Sequence, residues 1–487
     1  DAAEVAATAW ARARAGGEAG HVAAALPVLG AVALHRFQLA LARAYFEEWL
    51  AIQPGDCAIE PHGATHLAEI ALLERDPVQA RGRLAQARRC PAVATSAQLT
   101  LAQLAIDVAL WRGGGTAAQA DVLNAELATL EAQPEAVSGQ RAMVAALRAA
   151  LTTARDPDAG AAALHAVVTT TTAIPAPGPL TRRARSWATA LLAVEAAGRD
   201  DGAAVLRLVA AARDLAPPAR CTLAVAVDDE RLVAAAIGAD GVAASQLDRA
   251  WRFPNAAPAP GQPWLDDRLT TLLADCAEID VIALPPIEGA PGLLPPERAW
   301  SYRVGPPITP SAAPPRRVRV TGVVSPGGLG LPLLPAPATA TDPTVHELRG
   351  ASATPRQVLA AMRDATEIEL HTHGLADRAR SDASYLVLSA DDDGDFALTA
   401  ARIAATTLTA APLVTLAACR SARTEPYLHE SSSLPRGFRQ AGARAVLASS
   451  ADLPDDEAER FFAAVRARAA GGSSLAVALR DERLLWL

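Results

Sequence analysis

Two short β-prone runs end in side chains able to do chemistry together. Glu367-Ile368-Glu369-Leu370-His371-Thr372-His373-Gly374 ends in an imidazole followed by glycine. Leu413-Val414-Thr415-Leu416-Ala417-Ala418-Cys419-Arg420 ends in a thiol. A thiol is strongly nucleophilic only as the thiolate; a nearby imidazolium lowers its pKa and later protonates a leaving amine. Cys419 with His373 meets that need, and the chemistry it suits is acyl transfer from an amide. Glycine after the His lets the backbone come close to a scissile carbonyl. His371, two positions earlier, shares a strand face with His373 and could orient it or only pack. Cys57, Cys90, Cys221 and Cys276 have no such His-Gly partner and read as packing residues.

The elements that must position this pair are strands. Apolar runs of this length read as buried strands of a parallel sheet, and ligands bind beyond the carboxyl ends of such strands. His373 and Cys419 are 46 residues apart, room for one strand–helix excursion, so both ends should face one crevice. A Cys nucleophile with a His about fifty residues upstream is the caspase arrangement. The Thr-His-Gly turn, the Leu-Ala-Ala-Cys strand end and the sequence around them, densest from Val345 to Leu479, resemble a CHAT domain. That family is a caspase-like cysteine peptidase of clan CD, usually found behind tetratricopeptide-type (TPR) helical repeats. The resemblance implies His373 as acid–base and Cys419 as nucleophile, with the N–H groups of Gly374 and Cys419 as oxyanion hole and no metal or cofactor. Family members usually carry a Leu-Trp pair after the strand at 445–449; here the text is Ser449-Ser450-Ala451-Asp452-Leu453-Pro454-Asp455, so substrate-side contacts differ. Asp377, Asp382 and Glu430 are the acidic candidates for a substrate pocket; the loops after His373 and Cys419 mix both signs, and it is the resemblance to CHAT and separase-like members that implies a basic or uncharged side chain before the cut. Arg378 and Arg380 read as a solvated loop face.

At 487 residues the chain should hold at least two domains. All 45 basic residues are arginine, and the net charge of −8 leaves no basic domain, which argues against direct nucleic-acid binding. The five cysteines are scattered, odd in number and lack C-x-x-C spacing, which argues against disulfides and zinc and for a reducing, cytoplasmic compartment. No signal peptide is read at the start, and no apolar run reaches the ~20 residues of a membrane span.

Residues 1–216 read as an all-α array of eleven helices separated by turn signals such as Pro54-Gly55-Asp56 and Gly113-Gly114-Gly115. Asp76, Thr116 and Asp201 are expected N-caps. The helix at 35–52 with its exit turn, and the pair 63–75 and 77–89, resemble TPR units, although later spacing departs from the 34-residue period. Such an array offers a concave surface to a regulatory protein partner. His62 and His66 have i,i+4 spacing but no further ligand nearby, and read as surface histidines. Residues 217–487 form the caspase-like α/β domain with a mostly parallel central sheet: an N-terminal pseudo-half at 217–344 and a catalytic half at 345–487. A hairpin is expected at 221–237, strands at 281–286, 317–324, 345–348, 367–373, 385–389, 413–419 and 445–449, a helix at 266–276, and a helix capped by Thr354 with Pro355 at its first position. The acidic turn Asp391 to Asp395 lacks a closing Glu and reads as a solvated tip. Gly327-Gly328 follows a strand, but no lysine completes a phosphate loop, which disfavours an NTPase.

The function expected is that of a cysteine endopeptidase cutting a partner protein, targeted by its repeats and similar to bacterial conflict-system proteases. The rival is an inactive caspase-like scaffold that binds partners through the repeats. A chain starting near Cys221 is expected to fold alone.

Overall fold

The computed structural model describes the chain apart from residues 1, 18, 36–37, 53, 91–95, 134–137, 175–177, 229–230, 249–263, 286, 313, 327–328, 333, 335–341, 376–383, 427–430 and 487. Its N-terminal part is helical: α1 (Ala2–Gly16), α2 (Ala19–His35), α3 (Leu39–Ile52), α4 (Glu60–Leu73), α5 (Pro77–Ala87), α6 (Ala97–Arg112), α7 (Ala117–Glu131), α8 (Ser138–Thr153), α9 (Pro157–Thr172), α10 (Pro179–Gly198) and α11 (Gly202–Ala212). Alanine and leucine fill their buried faces, and the helices pack mainly on sequence neighbours, as stacking requires. The side chains of Asp76, Thr116 and Asp201 each accept a first-turn N–H.

His62 and His66 are half-buried rather than on the surface. His66 stacks on Phe46 with centroids 4.7 Å apart and faces Glu69. Among the described residues no cluster of three or more His, Cys, Asp or Glu side chains is placed to hold a metal ion. Glu69 ties α4 to α10 through Arg183 at 3.2 Å. Burial alone would raise its carboxyl pKa, but Arg183 and His66 outweigh burial and hold it at about 2. The folded value lies below the unfolded value of about 4.3, so this stabilisation is present above that pH and is lost as the pH falls through the folded value. We expect the melting temperature to fall steadily below about pH 5, and Glu69→Gln to lower it at neutral pH while flattening the acid limb. An acid limb identical in the variant would refute the assignment.

A second region follows: β1 (Thr222–Val227), β2 (Arg231–Ile237), β3 (Val242–Asp248), α12 (Asp267–Leu272), β4 (Ile279–Ala283) and β5 (Trp300–Tyr302). They form one sheet in the order β3-β2-β1-β4-β5. The period-2 alternation of β1 divides it cleanly. Leu223 and Val225 join the core on the α12 side, whereas Ala224 and Ala226 pack under Val205, Val209 and Ala193 of α10 and α11. A cut at residue 216 therefore runs through a shared core. A chain beginning near Cys221 would expose the alanine face of this sheet, so the expectation that it folds alone is withdrawn.

The third region holds β6 (Arg317–Thr321), β7 (Val345–Arg349), α13 (Pro355–Met362), β8 (Glu367–His371), β9 (Gly374–Leu375), β10 (Tyr385–Val387), β11 (Ala397–Leu398), α14 (Ala400–Ala404), β12 (Leu413–Ala417), β13 (Glu425–Pro426), β14 (Ser431–Ser432), α15 (Leu434–Ala441), β15 (Ala445–Leu447), α16 (Asp455–Ala470) and α17 (Leu475–Trp486). Its main sheet, β15-β12-β8-β6-β7, is parallel at every pairing. Parallel neighbours need a crossover, and 322–344 supplies the one from β6 to β7; this sheet thus begins upstream of residue 345, inside the segment assigned above to the pseudo-half. One face packs on α13, α14 and α15 through Val358, Ile403 and Phe438, the other on α16 and α17 through Phe462, Val465 and Ala478. Thr354 caps α13 with Pro355 at its start. The acidic run forms the β10–β11 tip, with Gly394 at φ 83° and Asp395 paired to Arg402.

The cysteine reading is corrected by the fold. Cys57 bonds Cys90, Cys221 bonds Cys276, and Cys419 is left free. Sequence separations of 33 and 55 give no local signature; only the packed chain brings these pairs together. Disulfides persist in oxidising surroundings, so cysteine usage no longer argues for a reducing compartment. No helix of the described residues is long and apolar enough to cross a membrane. Closing loops of this size restricts the unfolded chain by roughly 3 to 4 kcal/mol each. Reduction should therefore lower the melting temperature clearly, whereas an unchanged melt under strong reductant would show that the pairs do not form.

Candidate active site

Strands β8 and β12 are hydrogen-bonded neighbours whose register sets His371 beside Ala417. Two residues further along each strand stand His373 and Cys419, so adjacent parallel strands deliver both to the carboxyl edge of the sheet. The contact is close. A Cβ built on Gly374 would overlap the carbonyl oxygen of Cys419 and lie 3.4 Å from its nitrogen. Val387 N donates to His373 O at 2.9 Å, so residue 373 faces β10. Alternate residues of an antiparallel ladder turn their N–H groups to opposite sides, so the Gly374 N–H points away from β10.

His373 is half-buried, and its Nε2 lies 2.8 Å from Pro332 O. A carbonyl only accepts, so Nε2 carries the proton and Nδ1 keeps the lone pair. Cys419 is half-buried in a turn just past β12. Leu453 N donates to its Sγ at 3.3 Å, and Sγ lies 3.5 Å from Leu453 O. No hydrogen bond joins His373 to Cys419 directly among the described residues; each is held by a backbone group. Arg420 adopts a left-handed conformation, φ 51°, which turns the chain sharply after the thiol. Its exposed guanidinium pairs with Asp452 at 2.6 Å.

His371 does not orient His373. Its Nε2 lies 3.5 Å from Glu369 Oε2, deeper along the same strand face. Glu369 is buried and meets Arg466 at 3.2 Å and Arg317 at 3.5 Å. Burial works against its charge, but His371, Arg466 and Arg317 prevail and hold its pKa below the usual carboxylate range. This ionic group braces the sheet beneath the crevice.

Asp377, Asp382 and Glu430, with Arg378 and Arg380, lie outside the described residues, as do Gly327 and Gly328. Two contributors escaped the sequence reading. Pro332 and Leu453 act through backbone atoms, which every residue has, so no side-chain pattern marks them. Leu453 stands in the stretch where the chain departs from the Leu-Trp pattern, and that was the available signal.

An all-α array joined to an α/β domain with a mostly parallel sheet defines the class of protein. Residues 334–487 match the family model of the CHAT domain, and this part of the chain is similar to that caspase-like family. No curated protein matches the chain.

Proposed function

We propose that the chain is a cysteine endopeptidase that cleaves a partner protein. Cys419 is the nucleophile and His373 the acid–base. The observation that carries this reading is the packing of Gly374 against the backbone of Cys419 at the ends of β8 and β12. With Nε2–H tied to Pro332 O, Nδ1 of His373 takes the thiol proton and returns it to the leaving amine. Sulfur attacks the scissile carbonyl, the N–H groups of Gly374 and Cys419 receive the oxyanion, and water then hydrolyses the thioester. Residues 1–216 serve as a TPR-like recognition array for a regulatory protein, residues 217–344 as a pseudo-half that also lends β6 to the catalytic sheet, and 345–487 as the catalytic half. The biological setting proposed is bacterial defence, with a basic or uncharged side chain before the cut.

Labelling with a peptide acyloxymethyl ketone, followed by peptide mapping, tests the reading. A covalent adduct on Cys419 that disappears in His373→Ala is the expected result. An intact protein that no such probe labels, in the presence or absence of partner proteins, would favour the inactive-scaffold alternative. A positional-scanning peptide library with the active, unlabelled enzyme decides the side-chain preference; selection of Asp or Glu would overturn the preference for a basic or uncharged side chain.

A further inference from the structure

Away from the crevice, a cavity of about 340 Å³ opens where the helical array meets both sheets. Arg182 and Arg185 line it from α10, Arg213 from the end of α11, and Arg436 and Arg439 from α15. The lining carboxylate is Asp214, and Glu288 is buried beside the cavity. Glu288 serves two guanidiniums through one oxygen, Arg213 at 2.6 Å and Arg436 at 3.0 Å. Asp214 lies 3.7 Å from Arg185, a loose pairing. Arg439 spends its donors on the uncharged carbonyls of Val304, Pro306, Ala443 and Arg444. Among the described residues, Arg185, Arg213 and Arg436 thus share these two carboxylates, in a chain whose net charge is −8. Burial lowers the pKa of Arg213; Glu288 counters that, while Arg436 lowers it further. Like charges are crowded here at a cost that an anion would relieve.

Guanidinium groups bind phosphate through paired N–H donors. The volume is at the lower end of small-molecule sites and too small for a nucleic-acid duplex. Leu284, Pro285 and Ile308 supply apolar wall for the rest of a ligand. We propose that this cavity binds a small molecule carrying two or more phosphate groups, cradled by Arg182, Arg185, Arg213 and Arg436. Its position gives binding a consequence. The Arg213–Glu288–Arg436 group ties the helical array to the third region, and the next residue, Gly289, packs directly against Thr424 in the loop after Cys419. A ligand that draws these arginines from Glu288 would alter the support beneath that loop.

The test uses the full-length protein, with inorganic tripolyphosphate and ATP as probes in calorimetric titration. One-site binding is expected with Kd below about 1 mM, weakening as salt rises from about 50 to about 300 mM. Arg182→Ala with Arg185→Ala should weaken it at least about tenfold, with Arg185→Lys intermediate. Asp214→Asn should tighten it, since the competing charge goes while asparagine tolerates the left-handed backbone at that position, φ 54°. Hydrogen exchange of α15 should slow on binding. Tighter binding of ATP points to a nucleotide, and tighter binding of tripolyphosphate to a bare phosphate chain. Absence of saturable binding by both probes, or equal binding by a double variant that melts like wild type, overturns the proposal. Proteolysis is not the readout, so the result is independent of the activity proposed above.

Discussion

Replacing Cys419 with alanine should lower hydrolysis of a true substrate by about 10⁴-fold or more, and His373→Ala should do nearly the same. Members of a nucleophile–base unit are strongly non-additive, so the double variant should be no worse than either single one. The structure indicates why stability should survive. Cys419 is half-buried and, among the described residues, its thiol is bonded to the backbone of Leu453, so its loss frees one N–H that water can reach, at a cost of about 1 kcal/mol. His373 gives up one bond to Pro332 O. Melting temperature should therefore move little while turnover collapses. His371→Ala should show the opposite pattern: it strips a partner from buried Glu369 and should destabilise the sheet with a smaller loss per folded molecule. If either Cys419→Ala or His373→Ala kept most of the activity, the catalytic assignment would fall. If His371→Ala were as inactive as His373→Ala while folded normally, the two histidines would have been assigned in the wrong order.

What the sequence disclosed follows the range of each signal. N-caps are local, and Asp76, Thr116, Asp201 and Thr354 all cap where short polar side chains preceded helical runs. Strands β8 and β12 were legible because β-prone runs ended in side chains seldom wasted there. Strand β3 was missed: Val242-Ala243-Ala244-Ser245-Gln246 is alanine-rich, alanine favours helix, and only pairing with β2 makes it a strand. The helix read over 266–276 stops at Leu272, just before the chain reaches Cys276 and its bond to Cys221. Disulfides, the Glu288 ion group and the sharing of the first sheet with α10 and α11 are long-range events with no local mark. The chemistry-bearing side chains were readable, whereas the carbonyl of Pro332 and the backbone of Leu453 were not.

Gly374→Ala should slow turnover at least about 10²-fold, for a reason that needs no change in any reactive group. Gly374 is not among the left-handed glycines, so alanine suits its backbone angles; space is what it lacks. The added methyl would strike the carbonyl oxygen of Cys419, with the carbonyl carbon 3.1 Å away. These are backbone atoms at the end of a fully buried strand, and they cannot swing aside as a flexible side chain can. Either β9 or the Cys419 turn must move. Movement of β9 carries His373 with it and breaks the register with β10; movement of the turn shifts Sγ from Leu453 and strains Arg420 further. Either shift also spoils the placement of the Gly374 and Cys419 N–H groups, and one misplaced oxyanion donor is worth about 10²–10³ in rate. Overpacking adds a stability cost of about 1–3 kcal/mol. The expected result is a variant that melts somewhat lower, is folded at working temperature, and hydrolyses substrate at least about 10²-fold more slowly, with slower labelling of Cys419 by the peptide electrophile. Because the thiol and imidazole are both intact, a rate near wild type would mean that the oxyanion is stabilised elsewhere, and the geometry read from the ends of β8 and β12 would have to be abandoned.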